Sequence, residues 1–231
     1  MTALLETLEI ETAPSPRAAV IWMHGLGADG HDFAGIEREV TPPGAAVRYV
    51  YPHAPMMPVT INNGYVMRAW YDVFGVAGER REDEAGVRAS QERIERLIAR
   101  EKARGIPARA IVLAGFSQGG AMALHTGLRH PERLAGVMAL SCFLPVARAV
   151  ATEASTANRD VPLFMARAGA DQCPNLNAAL DRFVAVGLQR GLPLTLINLP
   201  RAPHAFDLFD DSDLSRHVVE QAIAFLRFHL R

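Results

Sequence analysis

A short apolar run, Ala110-Ile111-Val112-Leu113-Ala114, enters the pentad Gly115-Phe116-Ser117-Gln118-Gly119 and leaves at once into a helix-compatible segment, Gly120 to Leu128. These three parts constrain one another. A strand that becomes a helix across one residue must hold that residue at strained backbone angles, and the flanking glycines remove the side chains that would collide there. Ser117 at the apex is then presented at the carboxyl edge of a sheet, with the helix N-terminus and its dipole beside it. The pattern predicts a nucleophile elbow. A bare Gly-x-Ser-x-Gly is common, so its weight comes from the strand before it, the helix after it and the rest of the chain.

The rest of the chain alternates in the same manner. Strands are predicted over Leu4 to Ile10, Ala18 to Met23, Ala46 to Tyr51, Leu134 to Leu140, Val161 to Ala166 and Pro193 to Leu199. Ala18 to Met23 is apolar throughout, as a strand buried on both faces must be. Helices are predicted over Ala85 to Lys102, with Val87, Ile94, Leu97 and Ile98 on one face, over Asn175 to Arg190, and over Asp213 to Leu230, with Val219, Ala222, Ile223, Leu226 and Leu230 on one face. The Pro-, Met- and Asn-rich stretch from His53 to Gly64 reads as a long irregular loop. Strands alternating with helices imply an α/β fold, a mainly parallel central sheet with helices on both faces. Ligands in such folds gather at the carboxyl ends of the strands.

Composition narrows the function classes. The 231 residues, 49% hydrophobic and 21% charged, suit a single domain spanning 1–231 with a large core. A net charge of −1 argues against nucleic acid or an anionic membrane surface as the main partner, since both require a basic patch. The first sixteen residues hold no Lys or Arg and include Glu6, Glu9 and Glu11, which fits no signal peptide. No segment reads as a membrane span, and a cytoplasmic location is expected. Two cysteines, Cys142 and Cys173, are too few for a disulfide scaffold. Both follow strands expected to be neighbours, so a bond between them is conceivable, with two free thiols the default in a reducing compartment.

Chemistry follows from placing the partners of Ser117. His24-Gly25-Leu26-Gly27-Ala28-Asp29-Gly30 follows an early strand and lacks the spacing of a nucleotide-binding loop. A His-Gly loop there is the expected second half of an oxyanion hole, which gives the N–H groups of Leu26 and Gln118 as donors. A serine hydroxyl also needs a base, and that base needs an acid to hold its tautomer. Of eight histidines, His204 alone sits in a loop between the last strand and the last helix. Asp171 follows the Val161 to Ala166 strand; Asp160 precedes that strand, Asp181 lies on the next helix, and Asp207 competes only if its loop doubles back. Ser117, Asp171 and His204 stand in the chain order of a hydrolase triad. Met67, Trp70 and Tyr71 are read either as ordinary core or as an apolar wall for an acyl chain.

The chain resembles the carboxylesterase and acyl-protein thioesterase (lysophospholipase-like) family of α/β-hydrolases. The likeness is carried by His-Gly-Leu-Gly-Ala-Asp-Gly at 24 to 30, Pro-His-Ala-Pro at 52 to 55, Pro-Val-Thr-Ile-Asn at 58 to 62, Met-Arg-Ala-Trp-Tyr-Asp at 67 to 72, Gly-Phe-Ser-Gln-Gly-Gly-Ala at 115 to 121 and Ala-Leu-Ser-Cys at 139 to 142. It implies the α/β-hydrolase fold, Ser117 as nucleophile, Leu26 and Gln118 as oxyanion donors, no metal or organic cofactor, and an acyl site bordered by Pro58 to Trp70. The final third departs from the family pattern. Arg167-Ala168-Gly169-Ala170-Asp171-Gln172-Cys173-Pro174 replaces the usual His-Gly-x-x-Asp-x-x-Val-Pro, and Pro203-His204-Ala205-Phe206-Asp207 is more similar to dienelactone hydrolases. The expected function is a serine carboxylesterase acting on small or short-chain esters, with no lid insertion evident. Acyl-protein thioesterase, lysophospholipase and lactone hydrolase activities are the alternatives within the same chemistry, and a non-catalytic ligand-binding module is the alternative outside it. Oligomeric state, including a homodimer, is left open.

Overall fold

The computed structural model describes residues 4–74, 82–168, 174–199 and 212–230. Asp171, Cys173, His204 and Asp207 lie outside them. The apolar runs form strands buried over their whole length: β2 (Ala18–Met23) and β3 (Val47–Pro52) are buried at all six positions. With β1 (Thr7–Glu11), β6 (Ile111–Phe116), β7 (Gly136–Leu140), β8 (Leu163–Ala168) and β9 (Leu194–Leu199) they make a seven-stranded sheet in the order β1-β3-β2-β6-β7-β8-β9. Only β1 runs antiparallel, against β3; the other pairs are parallel. The winding reverses at β2, which has β3 on one side and β6 on the other. That reversal opens a crevice at the carboxyl ends of β2 and β6, where His24 and Ser117 begin their loops.

Helices cover both faces. The amphipathic α2 (Glu84–Ala103) buries Val87, Ile94, Leu97 and Ile98 on the face that also receives α3 (Gln118–Arg129). Asp83 caps α2 by accepting the Gly86 N–H at 2.9 Å. Residues of α5 (Pro174–Gln189), Leu180 among them, join the same face. The opposite face is covered by α1 (Glu37–Val40) and the closing α6 (Asp213–His229), through Val40, Val218, Leu226 and Leu230. Ala222 and Ile223 pack on that face as expected, while Val219 is rotated to its rim and is 39% exposed. A short helix, α4 (Val150–Glu153), completes the set. No helix among the described residues is long and apolar enough to cross a membrane.

One expectation is corrected. His53 to Gly64 is not an irregular loop: β4 (Met56–Val59) and β5 (Tyr65–Arg68) pair as an antiparallel hairpin through a 3-10 turn at Thr60–Asn62. Asn63 and Gly64, both at positive φ, close the turn. Both strands are only four residues long, and Pro58 sits where an edge strand tolerates a missing donor. Met56, Tyr65 and Val66 are exposed on this hairpin.

Two buried polar sites fasten the sheet to its helices. Glu101, fully buried on α2, accepts from Arg48 Nη1 at 2.7 Å, Arg100 Nε at 3.1 Å and Arg104 Nη1 at 3.1 Å. Removing one side of such a pair leaves a buried charge unmatched. Glu101→Ala is expected to lower unfolding stability by about 3–5 kcal/mol, read from urea midpoints at constant m-value; a loss below about 1 kcal/mol would show the site to be solvated in practice. His125 on α3 is fully buried, its Nδ1–H donating to the Pro145 carbonyl at 3.2 Å and its Nε2 lying 3.0 Å from the Gln91 side-chain amide. Burial pulls its pKa from 6.5 down to about 4. The neutral form is favoured by folding, so this contribution is complete above pH 6.5 and is lost as pH falls toward 4. Urea midpoints measured across that window are expected to fall with a slope of up to roughly 1.4 kcal/mol per pH unit, and to fall less steeply in His125→Gln.

Candidate active site

Ser117 sits between β6 and α3 at φ 53° and ψ −120°, a conformation that costs a non-glycine residue roughly 1–3 kcal/mol. The surroundings enforce it. The Ser117 N–H donates to the Leu140 carbonyl at 2.9 Å, and the Ser117 carbonyl accepts the Ala121 N–H at 3.0 Å. A Cβ at Gly115 would stand 2.3 Å from the Gly119 carbonyl group, and one at Gly119 would stand 2.1 Å from the Met23 carbonyl oxygen. Neither contact is physical. The two glycines of the pentad are therefore what lets β2, β6 and α3 meet with Ser117 at the apex.

The loop after β2 lies against the nucleophile. A Cβ at Gly25 would stand 3.5 Å from Ser117 Cβ. His24 anchors the loop: Nδ1–H donates to the Gly25 carbonyl at 2.7 Å, and Nε2 accepts the Ala54 N–H at 3.0 Å. Burial lowers the pKa of His24, which favours the neutral tautomer that this donor and acceptor pair requires. Gly27, at φ 78°, donates its N–H to the Arg68 carbonyl at 2.9 Å. Of the two expected oxyanion donors, Gln118 follows Ser117 in the first turn of α3, and Leu26 follows Gly25 in this loop. Neither backbone N–H donates to another described residue. Unbonded N–H groups beside a nucleophile are what a developing oxyanion requires.

Met67, Trp70 and Tyr71 fall in different settings. Met67 is half-buried and borders an open groove of about 680 Å³ shared with Gly27, Ala28, Asp29 and Arg68. Trp70 and Tyr71 are 1% and 4% exposed and belong to the core. Trp70 nevertheless bears on the site. Its Nε1–H donates to the His24 carbonyl at 2.9 Å, its backbone N–H donates to Gln118 Oε1 at 3.0 Å, and its carbonyl accepts from Ser90 Oγ. Gln118 Nε2 completes the link by donating to the Tyr71 carbonyl at 2.9 Å. One tryptophan thus ties the His24 loop to the start of α3. Sequence reasoning assigned Gln118 only for its backbone; its side chain is the second half of this clamp, and the signal was a buried amide at a helix N-terminus that no solvent could satisfy.

Asp29, His31 and His53 bring donor atoms within 4.8 Å of one another. One ring nitrogen of each histidine is engaged within the turn: His53 Nδ1 accepts the Gly30 N–H at 3.1 Å, and His31 Nδ1 donates to Asp29 at 2.9 Å. These contacts shape the turn at Gly30, where a Cβ would stand 2.5 Å from the Tyr51 carbonyl oxygen. Burial pushes the Cys142 thiol up to about 12, which keeps it protonated.

The comparisons with known proteins now bear on this geometry. A family model described as phospholipase/carboxylesterase matches residues 6–181. The chain belongs to that family. Its similarity to acyl-protein thioesterase 1 of Schizosaccharomyces pombe is 34% identity over 223 residues, covering 96% of this chain and 98% of the relative. Acyl-protein thioesterase 1 of Neurospora crassa is 41% identical over 167 residues, 68% of each chain. The crystal structure of Arabidopsis thaliana SOBER1 superposes with a TM-score of 0.79 at 24% identity, covering 93% of this chain and all of that one. That of Zea mays acyl-protein thioesterase 2 gives 0.76 at 22%, covering 98% and 99%. As a member of the phospholipase/carboxylesterase family the chain is a serine ester hydrolase with the α/β-hydrolase fold. The family match stops within α5, whereas the fission-yeast relative aligns across the unusual final third as well.

The clamp is testable within this family assignment. Gln118→Leu keeps the backbone donor and removes both side-chain links to Trp70 and Tyr71; kcat on an ester substrate is expected to fall about 10- to 100-fold, as small misplacements of catalytic groups do, with KM changed far less. An unchanged kcat would separate the amide from the positioning of the oxyanion donors.

Proposed function

We propose that the protein hydrolyses small or short-chain carboxylic esters through an acyl-Ser117 intermediate. The observation that carries this reading is the strained Ser117 against the Gly25 loop, with neither the Leu26 nor the Gln118 backbone N–H donating to another described residue. Ser117 Oγ attacks the ester carbonyl carbon while His204 takes the hydroxyl proton, and the carbonyl oxygen becomes an oxyanion accepting both N–H bonds. Collapse breaks the carbonyl–oxygen single bond, and His204 returns the proton to the departing alkoxide. Water then repeats the sequence on the acyl-enzyme, with its proton passing through His204 to Ser117. Asp171 holds the His204 tautomer and stabilises its cation.

A second reading, hydrolysis of acyl thioesters on proteins or of lysophospholipids, uses the same steps with a different leaving group. It is favoured by the names of the relatives and by the exposed Met56, Tyr65 and Val66 on the hairpin beside the open groove. A lactone hydrolase would again share these steps. The non-catalytic alternative, a ligand-binding module, predicts no labelling of Ser117 by a fluorophosphonate probe.

The deciding experiment is hydrolysis of p-nitrophenyl esters from acetate to palmitate, together with an S-acylated peptide, by the native protein and by Ser117→Ala. A short-chain oxyester optimum that vanishes in the variant is the expected result; a palmitate optimum with faster thioester cleavage favours the second reading. Activity that survives Ser117→Ala overturns both. Asp171→Asn is expected to lower kcat by about 10⁴-fold, by analogy with other triads. Asp207→Asn as the damaging change would reassign the acid.

A further inference from the structure

Remote from Ser117, the surface carries a second groove of about 530 Å³. It lies where the carboxyl end of α3, the short α4, a 3-10 turn at Thr156–Asn158 and the second half of α5 converge. Leu128, which lines it, stands ten residues beyond Gln118 on α3, roughly 15 Å along the helix at 1.5 Å per residue. Leu192 lines it just before β9 begins, which sets the groove at the amino edge of the sheet, opposite the edge that presents Ser117. Its floor is apolar: Leu128, Phe183 and Leu192 pack on the core, and Val186 on its wall is 46% exposed.

The polar side chains of the groove are of two kinds. Asn158 and Ser155 are spent on the backbone: Asn158 Nδ2 donates to the His130 and Glu132 carbonyls at 2.7 Å each, its Oδ1 accepts the Leu134 N–H at 2.9 Å, and Ser155 Oγ accepts the Ala157 N–H at 3.2 Å. Arg159 and Arg190 are exposed, and neither guanidinium has a partner among the described residues. No described carboxylate lines the groove. Those on the surrounding segments are taken by other cations: Glu153 by Arg88 at 2.8 Å and Arg129 at 2.7 Å, Asp160 by Arg133 at 2.7 Å, and Asp181 by Arg167 at 2.5 Å. Two unmatched guanidiniums beside an apolar trough have a definite complement, an anionic head on an apolar tail. A guanidinium takes a carboxylate through two parallel N–H bonds, and the trough withdraws the tail from water.

We propose that this groove binds a free fatty acid, its carboxylate held by Arg159 and Arg190 and its chain laid along Leu128, Phe183 and Val186. At roughly 30 Å³ per non-hydrogen atom the groove holds about 18 atoms, enough for one chain of about a dozen carbons and too few for a diacyl lipid. A small inorganic anion would leave the trough exposed to water, and a cationic amphiphile would meet two like charges. The site is separate from the ester-cleaving centre, so it stands whatever acyl group Ser117 accepts.

The test is isothermal titration of the native protein with dodecanoate, dodecanol and dodecyltrimethylammonium, each below its micelle concentration. Dodecanoate is expected to bind about tenfold more tightly than dodecanol, the worth of charge-assisted hydrogen bonds, and the cation most weakly. Arg159→Gln and Arg190→Gln are each expected to weaken dodecanoate about three- to tenfold. Both side chains are exposed, so an unchanged urea midpoint is expected to show that the variants keep their fold. Amide resonances at Arg159 and Gly187 are expected to move with the calorimetric affinity. Equal affinities for dodecanoate and dodecanol, or variants that bind dodecanoate as the native protein does, would overturn the proposal. Movement at Leu26 and Gln118 with none at Arg159 and Gly187 would place the fatty acid at the catalytic serine and overturn it too. Binding to phosphatidylglycerol vesicles that Arg159→Gln abolishes and dodecanoate does not displace would assign this face to a membrane surface instead.

Discussion

The close approach of three backbones at the elbow is the constraint on which the site depends. Met23 at the end of β2, Gly115 in β6 and Gly119 in α3 come together without a single intervening Cβ. That contact fixes Ser117 at positive φ and brings the Gly25–Leu26 segment against it. The strain is local, roughly 1–3 kcal/mol at one residue, while the strands that impose it are buried at nearly every position. A sheet packed on both faces resists a small shift far more strongly than one residue resists a bad dihedral. The elbow holds its shape because the core outweighs it.

A second layer of order comes from polar groups that burial leaves no choice. The His24 ring, the Trp70 indole and the Gln118 amide are all buried, and each must find its partners within the protein. They find one another's backbones: Ala54 and Gly25 for His24, the His24 carbonyl for Trp70, and the Trp70 and Tyr71 backbones for Gln118. The Gly25–Leu26 loop and the start of α3 are thus locked by different side chains but joined through one tryptophan. Such cross-linking is how backbone donors, which no side chain can replace, are held in place before a reaction begins.

How far this was legible in the sequence depends on the kind of signal each part carries. Ala18–Met23 and Ile111–Phe116 announce themselves because burial on both faces demands unbroken apolar runs. α2 does so because its Val87, Ile94, Leu97 and Ile98 recur at helical spacing. The β4–β5 hairpin was missed because its pairing is held by backbone bonds with little apolar alternation, and Pro58 and two asparagines read as loop. Trp70 was weighed as core or acyl wall; the structure makes it core, with a polar edge directed at the site. That edge is a three-dimensional fact, since Trp70 is 46 residues from His24 and 48 from Gln118 along the chain.

The histidines show why topology carried more weight than residue type. Seven of the eight lie among the described residues. His24 has both ring nitrogens occupied, His53 accepts the Gly30 N–H, and His31 is turned to Asp29. His125 is enclosed between Gln91 and Pro145, and His130 pairs with Glu95 at 2.7 Å. His217 lies beside Glu220, and His229 rests on the Phe225 ring. Each of these rings has a structural setting of its own. His204 lies outside the described residues, and its proposed role as the base rests on its place in the sequence, between the last strand and the last helix. That proposed role agrees with the order Ser, Asp, His that the chain carries.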